Sequence, residues 1–167
     1  LNSGKKYYWR VKIWDKNDKG TFSATFNFKV TPNQEIKIEP SQVTYDEIYL
    51  FSKDRGKVIN DNKITSNDEN YLLFEGLKGF SETGGKVYPG LSMNITDIDG
   101  TEILKYDDLF ADYSTTGLDV VDFNGRVSSS FVIPPSEVKN PLHLKVLIWD
   151  KKSDAKLTVS EDLIFQK

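Results

Sequence analysis

The sequence predicts an all-β fold in which antiparallel strands form a sandwich. Three observations support this prediction. Apolar and polar residues alternate in several runs, tight-turn sequences separate these runs, and no long stretch has the 3.6-residue period of a helix. Many short strands joined by regular turns are typical of sandwiches and barrels. The chain has 167 residues, of which 38% are hydrophobic and 13% aromatic, so it can enclose a core.

The alternating runs predict half-buried strands, because successive side chains of a strand point to opposite faces. In the second run the rings of Phe22, Phe26 and Phe28 share one parity. The runs occupy residues 7–14, 21–30, 91–96 and 142–148.

Glycine-containing pairs between the runs predict tight hairpin turns, because such turns need positive φ angles. Helical character is confined to one or two turns around residues 107–113. The predicted turns are Asp18-Lys19-Gly20, Gly84-Gly85, Asp99-Gly100 and Asn124-Gly125.

One segment occurs twice, and the repeat divides the chain. Val11-Lys12-Ile13-Trp14-Asp15-Lys16 recurs 135 residues later as Val146-Leu147-Ile148-Trp149-Asp150-Lys151. The strands on either side also match, so each copy is predicted to be a hairpin with a Trp-Asp-Lys corner. A repeat of this length is the size of a domain. We therefore interpret residues 1–32 as the C-terminal hairpin of a truncated upstream β-sandwich domain, and residues 33–167 as a complete β-sandwich domain.

The composition argues against several classes of function. There is no cysteine, which excludes disulfides, thiolate nucleophiles and cysteine-ligated zinc, and His143 is the single histidine. The net charge is −3 and both signs are interspersed, which argues against a nucleic-acid partner. No apolar run reaches the roughly 18 residues of a transmembrane helix, so we expect no transmembrane segment. With no catalytic motif in view, we predict that the protein is not an enzyme.

Two resemblances refine the fold and suggest a location. Leu1-x-x-Gly4-x-x-Tyr7-x-Trp9-x-Val11 resembles a strand entry of fibronectin type III and related Ig-like domains, where the Tyr packs as a corner. Residues 44–167 resemble a β-sandwich module of exported surface lipoproteins of Bacteroidota-type bacteria. This resemblance implies an Ig-like or fibronectin type III-like antiparallel sandwich at the extracellular face of the outer membrane or in the periplasm. The signal peptide and anchor would lie outside this sequence. The stretches that carry it are Tyr45-Asp46-Glu47-Ile48-Tyr49-Leu50, Phe74-Glu75-Gly76-Leu77-Lys78-Gly79-Phe80, Gly85-Lys86-Val87-Tyr88-Pro89-Gly90, Asp107-Asp108-Leu109-Phe110 and Ile148-Trp149-Asp150-Lys151.

Four aromatic residues are candidates for ligand binding. Trp14 and Trp149 occupy equivalent places in the repeat, on the parity opposite to the apolar face, and Tyr8 and Tyr88 could assist them. Exposed rings at these places would be platforms on which sugar rings stack. Alternatively, each Trp covers a sheet edge or a domain seam, and packing explains why it recurs.

Two aspartates are candidates for a calcium site. Asp97-Ile98-Asp99-Gly100 resembles part of a calcium loop, with Asp107, Asp108 or Asp112 as further ligands, so calcium is a possible cofactor. The alternative is a hairpin turn with Asp99-Gly100 at its tip. The acidic residues between 107 and 122 could also suggest glycoside hydrolysis, but a solvated loop is the interpretation we prefer.

The function predicted from the sequence is that of a non-catalytic module. We expect a spacer or protein-interaction module of a cell-surface or periplasmic lipoprotein, whose partner is another outer-membrane or surface protein, or a polysaccharide. Two alternatives stay open: a carbohydrate-binding module that uses the exposed rings, and a calcium-stabilised adhesin-like repeat. Exposure of the Trp rings distinguishes the carbohydrate alternative from the others.

Overall fold

The protein is described by a computed structural model that covers residues 6–29, 36–135 and 138–166. Its contacts divide the chain into two compact units, Leu1–Pro32 and Asn33–Lys167. In the described ranges, none of the helices is both long and apolar enough to cross a membrane.

The first unit is a hairpin of four short strands: β1 (Lys6–Trp9), β2 (Lys12–Trp14), β3 (Gly20–Phe22) and β4 (Phe26–Lys29). β1 pairs with β4 and β2 with β3, both antiparallel. Trp9 pairs with Phe26 and Lys12 with Phe22. Between these two pairs the chain takes three residue steps on the first arm of the hairpin (β1 and β2) and four on the second arm (β3 and β4). The extra residue is a bulge between β3 and β4.

Because of this bulge, the three phenylalanines of the second arm do not lie on one face, although they share one parity in the sequence. Phe26 stacks on Trp9, with ring centres 4.8 Å apart. Phe22 instead lies against Arg10 and Lys12. Because a one-residue offset reverses the face of every later side chain, Phe22 points to the opposite side of the hairpin.

The second unit contains two main antiparallel sheets. The first has the order β12-β11-β15-β16-β5, with β8 added parallel to β16, and the second has the order β14-β9-β6-β7. β10 and β13 form a small separate pair. The strands are β5 (Lys37–Ser41), β6 (Glu47–Ser52), β7 (Lys57–Ile59), β8 (Lys63–Thr65), β9 (Asn70–Glu75), β10 (Lys86–Val87), β11 (Pro89–Thr96), β12 (Glu102–Tyr106), β13 (Leu118–Asp119), β14 (Arg126–Phe131), β15 (Leu142–Asp150) and β16 (Lys156–Gln166).

One hydrophobic core joins the two sheets, which confirms the predicted all-β sandwich. In β15 every second residue from Leu142 to Ile148 is at most 1% exposed. They share the core with side chains of the second sheet such as Leu50, Leu72 and Phe74. Period-two alternation therefore sorts each strand into a buried face and an outer face.

The turns and helices agree with the sequence in part. Gly84, Gly85 and Gly100 have positive φ angles, as their predicted turns require. The predicted turn at Asn124-Gly125 is wrong, because these residues end the helix α1 (Val120–Gly125), whose N-cap Asp119 accepts a hydrogen bond from the amide of Val121. A 3₁₀ turn at Ala111–Tyr113 lies within the short helical segment expected around residues 107–113.

Candidate ligand-binding site

The outer face of the six-stranded sheet carries Trp149, one of the two tryptophans that the repeat marked as candidates. Strand register places Gly90, Trp149, Lys156 and Ser41 side by side, one from each of β11, β15, β16 and β5. The next row along the strands consists of Ser92, Leu147, Thr158 and Glu39.

Trp149 lies across Gly90, its direct partner on the neighbouring strand. A Cβ at position 90 would collide with Cε2 and Cζ2 of the indole ring. Gly90 has an ordinary φ angle, so glycine is required here by the space that the ring occupies and not by the backbone. The ring is half-buried, which places one side on the sheet and leaves the remainder accessible.

Asp150 holds the turn that follows Trp149. Its carboxylate accepts hydrogen bonds from the Lys152 amide (2.9 Å), the Ser153 hydroxyl (2.6 Å) and the Ser81 amide (2.7 Å). Burial opposes the ionisation of this carboxyl, but the hydrogen bonds from Ser153, Ser81 and Lys152 outweigh burial and lower its pKa. The Asp of the repeated Trp-Asp-Lys corner is therefore the residue that fixes the turn beside the Trp.

Lys151 fixes a second loop next to the same face. Its Nζ contacts Asp108 Oδ2 at 2.7 Å and donates to the Phe110 carbonyl and the Ser114 hydroxyl at 3.0 and 2.9 Å. Asp108 also accepts from the Leu91 amide, which ties this loop to β11. Burial raises the pKa of Asp108, but the Lys151 ammonium and the amide donors lower it by more. The densest acidic stretch of the sequence thus supplies a structural ion pair.

An open depression with a volume of about 570 Å³ lies beside Trp149. Trp149 and Leu147 provide its apolar surface, whereas hydroxyl and charged groups come from β5, β11, β16 and the turn after β15. The lining residues are Ser41, Ser92, Leu147, Trp149, Asp150, Ser153, Asp154, Ala155 and Lys156. An apolar ring with a few converging polar groups is the usual composition of a site for a small polar ligand.

Tyr88 extends this face beyond the end of β11. Its carbonyl accepts a hydrogen bond from the Lys151 amide, which continues the β11–β15 ladder by one pair. Tyr88 therefore has the same parity as Gly90, so its half-buried ring belongs to the face that carries Trp149. The Lys152 Nζ lies 4.8 Å from the centre of the Tyr88 ring.

Trp14 and Tyr8 lie in the first unit and are not among the residues that line the depression. Both are well exposed, at 57% and 64%. The Lys12 Nζ lies 3.6 Å from the centre of the Trp14 ring, so an ammonium group covers one side of this indole. The four predicted aromatic residues are thus divided between the units, Trp149 and Tyr88 in the second and Trp14 and Tyr8 in the first.

Asp97 and Asp99 form a hairpin turn. Asp97 Oδ1 accepts from the amides of Asp99 and Thr101 at 3.0 and 2.9 Å, and Asp99 pairs with Lys139. Burial opposes the ionisation of Asp97, but these backbone hydrogen bonds lower its pKa. No group of three or more metal-ligating side chains occurs in the part of the chain that the structure describes. Calcium binding stays a prediction, which a binding measurement with calcium would test.

Ser41, Gly90, Ser92 and the turn residues were not predicted from the sequence. An isolated glycine at the start of an alternating run can indicate a close approach of another group, and this is the signal that Gly90 offered. Ser41 offered none, because it lies on a strand that is remote in sequence and reaches the depression only through its pairing with β16.

Comparisons with known proteins leave the family open. No protein-family model matches the chain, and no curated protein matches its sequence. Among solved structures, the C-terminal domain of Wzt aligns with a TM-score of 0.47 and 15% identity, over 81% of this chain and 82% of that domain. This similarity is too distant to indicate a ligand.

Proposed function

We propose that residues 33–167 form a non-catalytic interaction module whose ligand is carbohydrate, bound in the depression beside Trp149. The observation that supports this proposal best is the position of Trp149, which rests on Gly90 and lines an open depression that hydroxyl groups surround. The surface location that the sequence resemblance implies would expose such a module to polysaccharides.

The chemistry of the depression suits a sugar. A pyranose ring has an apolar C–H face and a rim of hydroxyl groups, so it binds where a flat apolar surface adjoins hydrogen-bonding side chains. Trp149 and Leu147 supply the apolar surface, and the Ser41 and Ser92 hydroxyls can each donate and accept. Because Asp150 holds the following turn and Gly90 supports the ring, little side-chain freedom remains to be lost on binding.

The electrostatics favour a polar ligand over a purely apolar one. Asp154 and Lys156 stand at the depression with opposite charges, and Ser92 and Thr158 flank Leu147 in the row of residues next to Trp149. Such a surface offers few contiguous apolar groups to a protein partner.

The test is affinity electrophoresis of the whole chain against uncharged plant, host and microbial polysaccharides. We expect at least one glycan to retard the wild-type protein. Trp149→Ala should weaken this binding by about 30-fold or more, since Trp truncations at binding hot spots cost about 2 kcal/mol or more. Trp149→Phe, which keeps an aromatic platform, should retain part of the affinity.

Trp14→Ala is the matched control, because it removes the equivalent exposed Trp of the other unit. It should leave the retardation unchanged. If no glycan retards the wild-type chain, or if both Trp variants behave alike, the carbohydrate proposal is wrong. The spacer or protein-docking function predicted from the sequence would then be preferred.

A further inference from the structure

The positive charge of the chain is concentrated in the first unit. Residues 1–32 contain seven Lys and Arg and two Asp, a net charge of +5. Residues 33–167 contain 15 Lys and Arg and 23 Asp and Glu, a net charge of −8. The small net charge of the whole chain therefore hides two units of opposite sign.

Three cations of this hairpin lie against aromatic rings on one face. The Lys12 Nζ is 3.6 Å from the centre of the Trp14 ring, and the Arg10 guanidinium is 3.8 Å from that of Phe22. The Lys6 Nζ is 5.6 Å from the centre of the Tyr8 ring. We call this surface the basic aromatic face; it comprises Lys6, Tyr8, Arg10, Lys12, Trp14 and Phe22.

The repeat shows that this face is an outer face. Its members on the first arm, at positions 8, 10, 12 and 14, correspond to His143, Lys145, Leu147 and Trp149, which lie on the solvent side of β15. The opposite face of the hairpin carries Tyr7 and Trp9, whose counterparts Leu142 and Leu144 are buried in the core. The basic aromatic face therefore corresponds to the face of β15 that is open to solvent in the complete sheet.

The bulge adds Phe22 to this face. Lys12 pairs with Phe22, whereas its counterpart Leu147 pairs with Thr158. The one-residue offset thus replaces a small polar side chain with an aromatic ring, and this ring lies against both Arg10 and Lys12.

The cations of this face have no acidic partner among the described residues. Within the described ranges, Lys6, Arg10 and Lys12 belong to none of the ion pairs, and the acidic residues of the hairpin, Asp15 and Asp18, lie in its turn. Side chains two positions apart on a strand are roughly 7 Å apart, so the three cations form a line along the first arm. Contact with aromatic rings also restricts their positions, which lowers the entropic cost of binding.

We infer that the basic aromatic face is a second binding site, and that it binds an acidic polysaccharide along the hairpin. Carboxylate or sulfate groups of the chain would contact Lys6, Arg10 and Lys12, and the sugar rings would contact the exposed edges of Tyr8, Trp14 and Phe22. The existence of a polyanion site is argued from the hairpin alone. That the polyanion is a polysaccharide rests on the proposed function of residues 33–167.

The test measures binding of the whole chain to heparin and to polygalacturonate, with neutral dextran as a control. The double variant Arg10→Gln/Lys12→Gln should lose on the order of tenfold in affinity, because exposed ion pairs each contribute a factor of about 1.5 to 5. Binding by the wild-type chain should also weaken steeply as salt is raised. Arg10→Lys/Lys12→Arg keeps the charges and should retain most of the affinity, provided the hairpin is folded.

Lys16→Gln/Lys19→Gln is the matched control, since it removes the same charge from the turn of the same hairpin. It should change the affinity less than twofold. Equal losses in the two double variants would show attraction by net charge alone and overturn the site. Binding to phosphatidylglycerol vesicles or to single-stranded oligonucleotides in place of both polysaccharides would overturn the class of ligand. Trp149→Ala should not affect heparin binding; a parallel loss would mean that there is one site, not two, and would also overturn the inference.

Discussion

The two hairpins that carry the Trp-Asp-Lys corner differ in what surrounds them. In the second unit the hairpin β15–β16 lies between β11 and β5, and its inward side chains are buried. In the first unit the corresponding residues Trp9, Val11 and Ile13 are about half exposed or more. The same local sequence therefore forms an antiparallel hairpin in both units, while burial depends on the strands that flank it.

The two turns also differ in length, and the difference reaches beyond the turn. The Asp15 amide donates to the Lys19 carbonyl, whereas the Asp150 amide donates to the Ala155 carbonyl one residue further on. The shorter first turn shifts β2 and β3 by one residue, and the bulge restores the register of β1 and β4. One residue in a turn thus decides which side of the hairpin an aromatic ring occupies.

The largest expected difference between the hairpins concerns their turn aspartates. Asp150→Ala should lower the free energy of unfolding by about 3 kcal/mol, because it removes the buried carboxylate that accepts from partly buried donors such as the Ser81 amide. Asp15→Ala should cost about 0.5 kcal/mol or less, because the donors it frees, the Asn17 and Lys19 amides, are exposed to water. Urea unfolding followed by circular dichroism measures both. Similar costs for the two variants would show that burial does not distinguish the turns.

The glycines under the two Trp rings should differ by less. Gly90→Ala would force the Trp149 ring off the sheet and should cost about 2 kcal/mol, the usual range for an overpacked site. Gly20→Ala meets the flexible end of Lys12 and an exposed Trp14, which can both move, and its cost should be within about 0.5 kcal/mol. Unfolding in urea gives the energies, and Trp fluorescence reports the displaced ring. An unchanged stability for Gly90→Ala would contradict the role of Gly90 as a support.

The smallest expected effect is the pH dependence of the second turn. Burial opposes the ionisation of Asp150, but its hydrogen bonds lower the pKa below the ordinary value of 3.8. The carboxylate therefore stabilises the fold above that value, and this contribution is lost as the pH falls through the native pKa. Between pH 7 and about pH 3 the wild-type chain should lose more stability than Asp150→Asn, which has no carboxyl to titrate. Stability is measured as the urea midpoint at each pH. Equal losses of stability in the two proteins would show that Asp150 does not contribute to the acid sensitivity of the fold.

Part of the candidate site could be predicted from the sequence. The repeat predicts Trp149 and its parity, whereas only the aromatic ring of Tyr88 makes it a candidate; both residues lie on the same outer face. The sequence could not indicate that Lys12 covers Trp14 or that Lys151 binds the loop at Asp108, because these contacts depend on rotamers and on long-range pairing. The turn predicted at Asn124-Gly125 is wrong for a local reason, since Asp119 caps a short helix that continues to Gly125.

By itself the sequence determined the strand periodicity, most of the tight turns and the recurrence of the hairpin, because these depend on residues close together in the chain. Only the tertiary structure decided which side chains meet across strands. Ser41 reaches Lys156 through the β5–β16 pairing, and Phe22 changes face through a single bulge. A ligand-binding face consists of side chains that are neighbours across strands. Strand register decides which side chains these are, and the local sequence pattern does not determine the register.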